Sequence, residues 1–148
     1  MSSQQRHARP DSGWEWFDVE ADVGVRAWGP TRAEAYAQAA LGVLALVVRP
    51  EEVAPRETRE VRAQAADPEG LLVAWVDACL YVHEIEGFLA ARVEVTSLDG
   101  GVAHGVLHGE PFDPARHRPG TVVKAATHHG VAVGMAGGRH EVRLVVDV

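Results

Sequence analysis

The sequence has few of the residues that several common kinds of site require. Its single cysteine, Cys79, excludes an internal disulfide and a cysteine zinc site, and fits a reducing cytosol. Lysine and arginine number 14 against 21 acidic residues, and a formal charge of −7 argues against strong direct binding of nucleic acid. No run of about 18 apolar residues is present, so neither a membrane span nor a signal peptide is predicted. We expect a soluble, cytoplasmic protein.

The 148 residues, 47% of them hydrophobic, fit one domain with a buried core. Residues 1–13 contain almost no apolar side chains and are predicted to be a disordered tail, which leaves 14–148 as the folded domain. A capping box begins at Thr31 and predicts a helix that ends before Pro50. Asp67 and Pro68 predict the start of a second helix, with Cys79 on its buried stripe.

The remaining segments have the alternation and turn residues of strands. Strands are predicted at 14–20, 23–28, 57–65, 91–98, 102–107, 120–127, 131–134 and 139–148, with a tight turn at 99–101. Because the strands come in blocks rather than in regular alternation with helices, the pattern indicates an α+β fold. We expect a single compact domain, mainly antiparallel sheet with two main helices.

Three acidic residues, Asp18, Glu20 and Asp22, alternate with apolar residues near the start of the predicted domain. If this segment stays extended, all three carboxylates lie on one face and repel one another. The segment is therefore either a solvated strand edge or part of a cation site. At the other end of the sequence, Asp147 and the terminal carboxylate of Val148 supply more oxygens. Calcium or magnesium would suit such a set if the fold brings the two regions together.

Other catalytic arrangements are missing from the sequence. Eight histidines are present, but His104 and His108 are too far apart along a strand to share a metal, and there is no His-Glu-x-x-His pattern. We expect solvated or locally hydrogen-bonded histidines rather than zinc ligands. There is no Gly-x-Ser-x-Gly elbow and no Walker loop, so no catalytic residue is assigned. Lys124, in an otherwise small and apolar predicted strand, either reaches solvent or pairs with a nearby carboxylate.

Several separate motifs, in the same order along the chain, resemble those of the archease family. They are Asp-Val-Glu-Ala-Asp-Val-Gly at 18–24, Ala-Trp-Gly at 27–29, Thr-x-x-Glu-Ala at 31–35, Gly-Glu-Pro-Phe-Asp at 109–113, His-x-Pro-Gly-Thr-x-Val-Lys-Ala-x-Thr at 117–127 and Val-Asp-Val at 146–148. No single motif would suffice, but together they span nearly the whole predicted domain. Where the family usually has His-Thr before Ala-Asp, this chain has Val19 and Glu20.

The resemblance implies an accessory protein rather than an enzyme. Archeases assist the GTP-dependent RNA ligase of tRNA splicing and RNA repair, which joins a 3'-phosphate or 2',3'-cyclic phosphate end to a 5'-hydroxyl end. They promote guanylylation of the ligase and its turnover. The resemblance places the divalent cation, calcium or magnesium, on Asp22, Asp147 and Val148, and Asp18 and Lys124 fall on further positions of the family's motifs. Glu20 is a carboxylate that the family's usual motif lacks. We expect Asp18, Glu20 and Lys124 to be additional ligands or partner-activating residues.

Two alternatives remain open at this point. The first is a metal-dependent phosphoesterase that uses Asp18, Glu20, Asp22 and Asp147. The second is a general chaperone-like binding module, which would bind many unfolded proteins without a dedicated metal. Turnover by the isolated chain would indicate the first alternative, and a single dominant ligase partner would exclude the second.

Overall fold

The structure is a computed structural model that describes the backbone of residues 6–8 and the whole of residues 11–148. Within these residues the chain forms eight strands and two α-helices. They are β1 (Arg6–Ala8), β2 (Gly13–Val19), β3 (Asp22–Gly29), α1 (Arg32–Val47), β4 (Glu57–Gln64), α2 (Pro68–Glu86), β5 (Phe88–Asp99), β6 (Val102–Pro111), β7 (Ala125–Ala136) and β8 (Arg139–Asp147). The α+β class with antiparallel sheet and two main helices is confirmed.

The two helices lie between two antiparallel sheets. Sheet A has the strand order β1-β2-β3-β8-β7, and sheet B has the order β4-β6-β5. Helix α1 packs against β2, β3 and β8 of sheet A and against β5 of sheet B. Helix α2 packs against β7 of sheet A and against β4, β5 and β6 of sheet B. The helices therefore form the middle layer of three, and each sheet has an outer face that points away from them.

Because the helices are covered on two sides, they are apolar over most of their surface. Close approach of the layers depends on small residues such as Gly42 of α1, where a Cβ atom would lie 2.9 Å from Cγ1 of Val25. Trp75 of α2 is fully buried, and its indole N–H donates a hydrogen bond to the carbonyl of Tyr36 in α1 at 3.0 Å. Neither helix of the described part is long and apolar enough to cross a membrane.

Both predicted helix starts are confirmed. Oγ1 of Thr31 accepts a hydrogen bond from the N–H of Glu34 at 3.0 Å, and Oδ1 of Asp67 accepts one from the N–H of Gly70 at 2.6 Å. These bonds satisfy N–H groups that have no partner inside the helix. Helix α2 ends at Glu86 and is capped by Gly87, whose φ of 66° is a left-handed conformation that glycine adopts without strain.

The structure differs in part from the predicted N-terminal tail. Residues 6–8 form strand β1, which pairs antiparallel with the first residues of β2. Backbone pairing at the edge of a sheet does not require apolar side chains, so the composition of the segment does not indicate it. Residues 1–5, 9 and 10 lie outside the described residues, where the predicted disorder stays a prediction.

The predicted strand at 120–127 is wrong in its first half. The N–H groups of Gly120 and Thr121 donate to carbonyls in the last turn of α1, each at 2.7 Å. These bonds satisfy carbonyls that lack a partner at a helix end, and they hold the chain away from a strand ladder. Strand β7 begins only at Ala125, and it continues through an irregularity between Thr127 and Ala132, so the two strands predicted there are one.

Candidate functional site

Asp22 and Asp147 lie opposite each other at one end of sheet A. Strands β3 and β8 are antiparallel, and the register that pairs Val23 with Val146 places Asp22 across from Asp147. Since Val23 and Val146 pack on the core, the two aspartates project from the outer face of the sheet. Side chains in such a pair have Cβ atoms about 4.5–5.5 Å apart. The two acidic regions whose distance from each other could not be predicted from the sequence are therefore adjacent, and Val148 comes directly after Asp147.

This pair of aspartates has the donor chemistry of a hard-cation site. Carboxylates directly opposite each other repel, and a calcium or magnesium ion between them would remove that repulsion. Among residues 6–8 and 11–148, no cluster of three or more His, Cys, Asp or Glu residues could hold a metal ion. The pair would therefore need further oxygens, from the terminal carboxylate of Val148, from water or from a partner.

The segment does not stay extended, so the condition under which Asp18, Glu20 and Asp22 would share one strand face is not met. Residues 20–21 form a two-residue turn between β2 and β3, which correspond to the strands predicted at 14–20 and 23–28. The reversal pairs Asp18 with Val23, which puts Asp18 on the opposite side of the sheet from Asp22. Glu20 is exposed in the turn with a φ of 42°. The turn contains no glycine, asparagine or proline, so the alternation appears unbroken in the sequence.

Lys124 lies beside the aspartate pair. Its backbone N–H donates a hydrogen bond to the carbonyl of Asp147 at 2.8 Å. Its side chain is exposed, and within residues 11–148 its ammonium group forms no ion pair. The structure thus brings Lys124, Asp147 and Asp22 to the same end of sheet A.

The loop before Lys124 is fixed by a buried carboxylate that the sequence analysis did not identify. Glu110, near the end of β6, has no solvent-exposed surface. Five hydrogen bonds reach its two oxygens: Nη1 of Arg116 at 2.9 Å, Nη2 of Arg116 at 2.6 Å, Nε of Arg56 at 3.0 Å, the N–H of Ala54 at 2.9 Å and Nε2 of His117 at 2.8 Å. Every lone-pair direction of this carboxylate is therefore used by a donor.

The protonation states in this cluster follow from its geometry. The backbone N–H of Asp113 donates to Nδ1 of His117 at 2.9 Å, so Nδ1 carries no proton and Nε2 is the protonated nitrogen. Hydrogen bonds from Arg116 hold the pKa of Glu110 well below its usual range, although burial acts in the opposite direction. Glu110 is thus an ionised group inside the fold, and His117 is a neutral donor to it.

The cluster and the α1 end together anchor the loop at residues 112–124. Arg116 and His117 attach its first half to Glu110, and Gly120 attaches its second half to α1. Because the loop is anchored at both points, the backbone of Lys124 is held next to the aspartate pair. The sequence offered one signal, the density of charged and turn residues in this loop. Arg56 lies 54 residues away from Glu110, so sequence spacing could not indicate the pairing.

The histidines and the cysteine considered in the sequence analysis lie in surroundings that explain them without a metal or a reaction. His104 is exposed, and Nε2 of His108 lies 2.7 Å from Oε1 of Glu94. Cys79 is fully buried, and burial raises the pKa of its thiol, which leaves little thiolate.

Comparison with known proteins gives the family. The sequence profile of the archease protein family matches residues 14–148, a range that includes the aspartate pair, Lys124 and the Glu110 cluster. The chain belongs to the archease family.

Archeases from other organisms match over almost their whole length. The protein archease of Pyrococcus furiosus is 32% identical over 139 residues, which cover 91% of this chain and 98% of that protein. The protein archease of Methanopyrus kandleri is 36% identical over 138 residues, which cover 91% of this chain and 99% of that protein.

Solved structures confirm the archease fold. The solution structure of protein 1598 from Methanobacterium thermoautotrophicum matches with a TM-score of 0.78 at 29% identity, covering 91% of this chain and 98% of that one. A crystal structure from Thermotoga maritima, of an archease described as a possible chaperone, matches with a TM-score of 0.57 over 97% of this chain and all of that one. Its identity of 19% supports the fold alone.

Proposed function

We propose that this archease is a metal-binding accessory protein that activates a GTP-dependent RNA ligase in tRNA splicing or RNA repair. It promotes guanylylation and turnover of the ligase, which joins 3'-phosphate or 2',3'-cyclic phosphate ends to 5'-hydroxyl ends. The observation that carries the proposal is the position of Asp22 opposite Asp147, with Lys124 hydrogen-bonded through its backbone to Asp147. These are the residues that the resemblance assigns to the cation and to activation.

In this proposal Asp22, Asp147 and the terminal carboxylate of Val148 hold a calcium or magnesium ion. When bound, the ion supplies positive charge that can attract an oxygen of a phosphate or carboxylate group. Glu20 lies in the adjoining turn and is the nearest additional ligand by chain position. Asp18 is on the other side of the sheet, which favours contact with the partner over coordination of the same ion.

The surroundings of the site favour action on another protein over catalysis by this chain. Asp147 and Lys124 are exposed at the end of a sheet rather than recessed in a cleft, so a macromolecular surface can reach both. The only thiol is buried, and the chain carries a formal charge of −7, so the ligase rather than this protein would hold the RNA. We therefore assign no catalytic residue to the chain.

A guanylylation assay of the purified cognate ligase tests the proposal. The native chain should speed guanylylation and multiple-turnover ligation, and Asp147→Asn should remove most of that effect. Asp99→Asn is the matched control, because Asp99 is an exposed aspartate at the end of β5 on the other sheet. Hydrolysis of GTP or RNA by the isolated chain, with no effect on the ligase, would instead support a phosphoesterase. Metal-independent protection of many unrelated unfolded proteins would support a general chaperone.

A further inference from the structure

Arg143 lies on the outer face of sheet A at a position whose charge is not compensated. The register of β3 and β8 places it directly opposite Arg26. Arg26 is already neutralised, since its Nε and Nη1 atoms bond to Glu15 and Glu141 at 2.8 Å each. Arg143 forms no ion pair within residues 11–148. Of this opposed pair, Arg143 is therefore the guanidinium that is available to an added anion.

The guanidinium of Arg143 is held in place by an aromatic ring. Its Cζ atom lies 4.7 Å from the centroid of the Phe17 ring. Phe17 in turn covers Gly24, where any Cβ atom would collide with the ring. Stacking keeps the planar group in one orientation and leaves its N–H edges available for hydrogen bonds. Arg143 is thus pre-organised to bind an anionic group.

The outer face is recessed next to Arg143. A shallow cavity of about 200 Å³ lies between β7 and β8 and includes Arg143 in its lining. The outward positions of β7 in this cavity are the small residues Ala132, Gly134 and Ala136. A Cβ atom added to Gly134 would meet no other atom within 4 Å, so the space above the strand is open. Two charged residues line the recess, Arg143 opposite Ala132 and Glu141 opposite Gly134, and the Glu141 carboxylate is already bonded to Arg26. The recess has room for one side chain next to the guanidinium of Arg143.

We propose that Arg143 and this recess receive a carboxylate side chain of the protein partner. The identity of that partner as the RNA ligase rests on the proposed function. Asp147 is four residues beyond Arg143 on the same face of β8, about 13 Å away at the rise of an extended strand. One partner surface therefore covers both positions, and docking at Arg143 brings the aspartate pair to the ligase.

Charge complementarity favours a protein carboxylate over the phosphates of RNA. Glu15, Glu141, Asp22 and Asp147 share this face with Arg143. A polyanion would bring several phosphates against these carboxylates, whereas a single acidic side chain adds one charge beside Arg143. Arg139, stacked on the Trp28 ring at 4.7 Å, is a second guanidinium of this face that forms no ion pair within residues 11–148.

The test measures the affinity of the full chain for the ligase at low and moderate salt. Arg143→Gln should weaken binding at least about tenfold, the effect of losing one charge-assisted hydrogen-bonded contact, and should reduce the dependence on salt. Gly134→Val, which fills the recess and keeps the arginine, should also weaken binding. Arg62→Gln is the control, because Arg62 is an exposed arginine of β4 on the other sheet and has no carboxylate partner in the described part.

The outcomes separate this inference from the proposed function. Equal affinity of the native chain and Arg143→Gln, both folded by thermal melting, overturns the inference alone. A loss seen only in binding of RNA, or only in self-association, assigns the face to another occupant and also overturns it. If the native chain neither binds nor activates the ligase, the proposed function fails, and the inference fails with it. Should Gly134→Val not fold, Arg143→Gln decides the question.

Discussion

Nε2 of His117 donates a hydrogen bond to the buried carboxylate of Glu110 at 2.8 Å. The hydrogen bonds from Arg116 lower the pKa of this carboxyl group from its ordinary value of 4.5. A group with a lowered pKa in the folded state stabilises the fold above its ordinary value, and that stabilisation is lost as pH falls toward the lowered value. The cluster should therefore contribute fully at neutral pH and progressively less below pH 4.5.

Glu110→Gln should lower the free energy of unfolding at pH 7 by about 3 kcal/mol, the low end for breaking a buried ion pair. The low end applies because Arg56 and Arg116 are 63% and 44% exposed and can rehydrate. The NH₂ group of the glutamine would also face the N–H donors that now bond to Glu110, so those donors would lose their acceptor. Urea denaturation measures the loss, which should shrink toward pH 3. Glu60→Gln, at an exposed position of β4, should change stability by less than about 0.5 kcal/mol. Equal stability of the Glu110→Gln and native chains at pH 7 would contradict the assigned role.

Removing one carboxylate of the aspartate pair should weaken cation binding but should stabilise the fold when no cation is present. Asp22→Asn and Asp147→Asn should each weaken binding of calcium or magnesium in calorimetric titration, because a hard cation loses a charged oxygen ligand. Without the ion, each variant should be slightly more stable than the native chain, by up to about 1 kcal/mol, since the repulsion across the strands is removed. Cation binding that is unchanged in both variants would place the site elsewhere.

Extending the chain beyond Val148 tests the terminal carboxylate. Each added residue moves that charge by about 3.3 Å along an extended strand, more than a coordination bond tolerates. A Gly-Ser extension should therefore reduce ligase activation while leaving the melting temperature unchanged, because the buried residues Val142, Leu144 and Val146 are unaltered. Equal activation by two equally folded proteins would remove the terminus from the site.

The turn at Glu20 stores backbone strain that a glycine should relieve. A φ of 42° is uncommon for a residue with a side chain. Glu20→Gly should raise the free energy of unfolding by up to about 1 kcal/mol, and Glu20→Asn by less, as followed by urea denaturation. If Glu20 also binds the cation, both variants should weaken calorimetric binding. A destabilised glycine variant would show that contacts of the glutamate outweigh the strain.

Features that depend on neighbouring residues could be predicted from the sequence, and features that depend on distant ones could not. The caps at Thr31 and Asp67 are local, because each side chain bonds to a backbone group three residues on. The Glu110 cluster depends on Arg56, which only the packing of β4 beside β6 brings near. The meeting of Asp22 with Asp147 similarly depends on strand order, which no local pattern encodes. The family resemblance, rather than spacing, indicated that pair.

The position of β8 has a consequence for how the chain folds. Although it is the last strand of the sequence, it lies inside sheet A between β3 and β7. The bond between Arg26 and Glu141 on these strands spans 115 residues. During synthesis on the ribosome, the edges of β3 and β7 that pair with β8 stay unpaired until nearly the whole chain has emerged. Pairing of strands so far apart in the sequence raises the contact order, which slows folding. Asp22 and Asp147 meet in that closing step, so an incompletely folded chain does not present the aspartate pair.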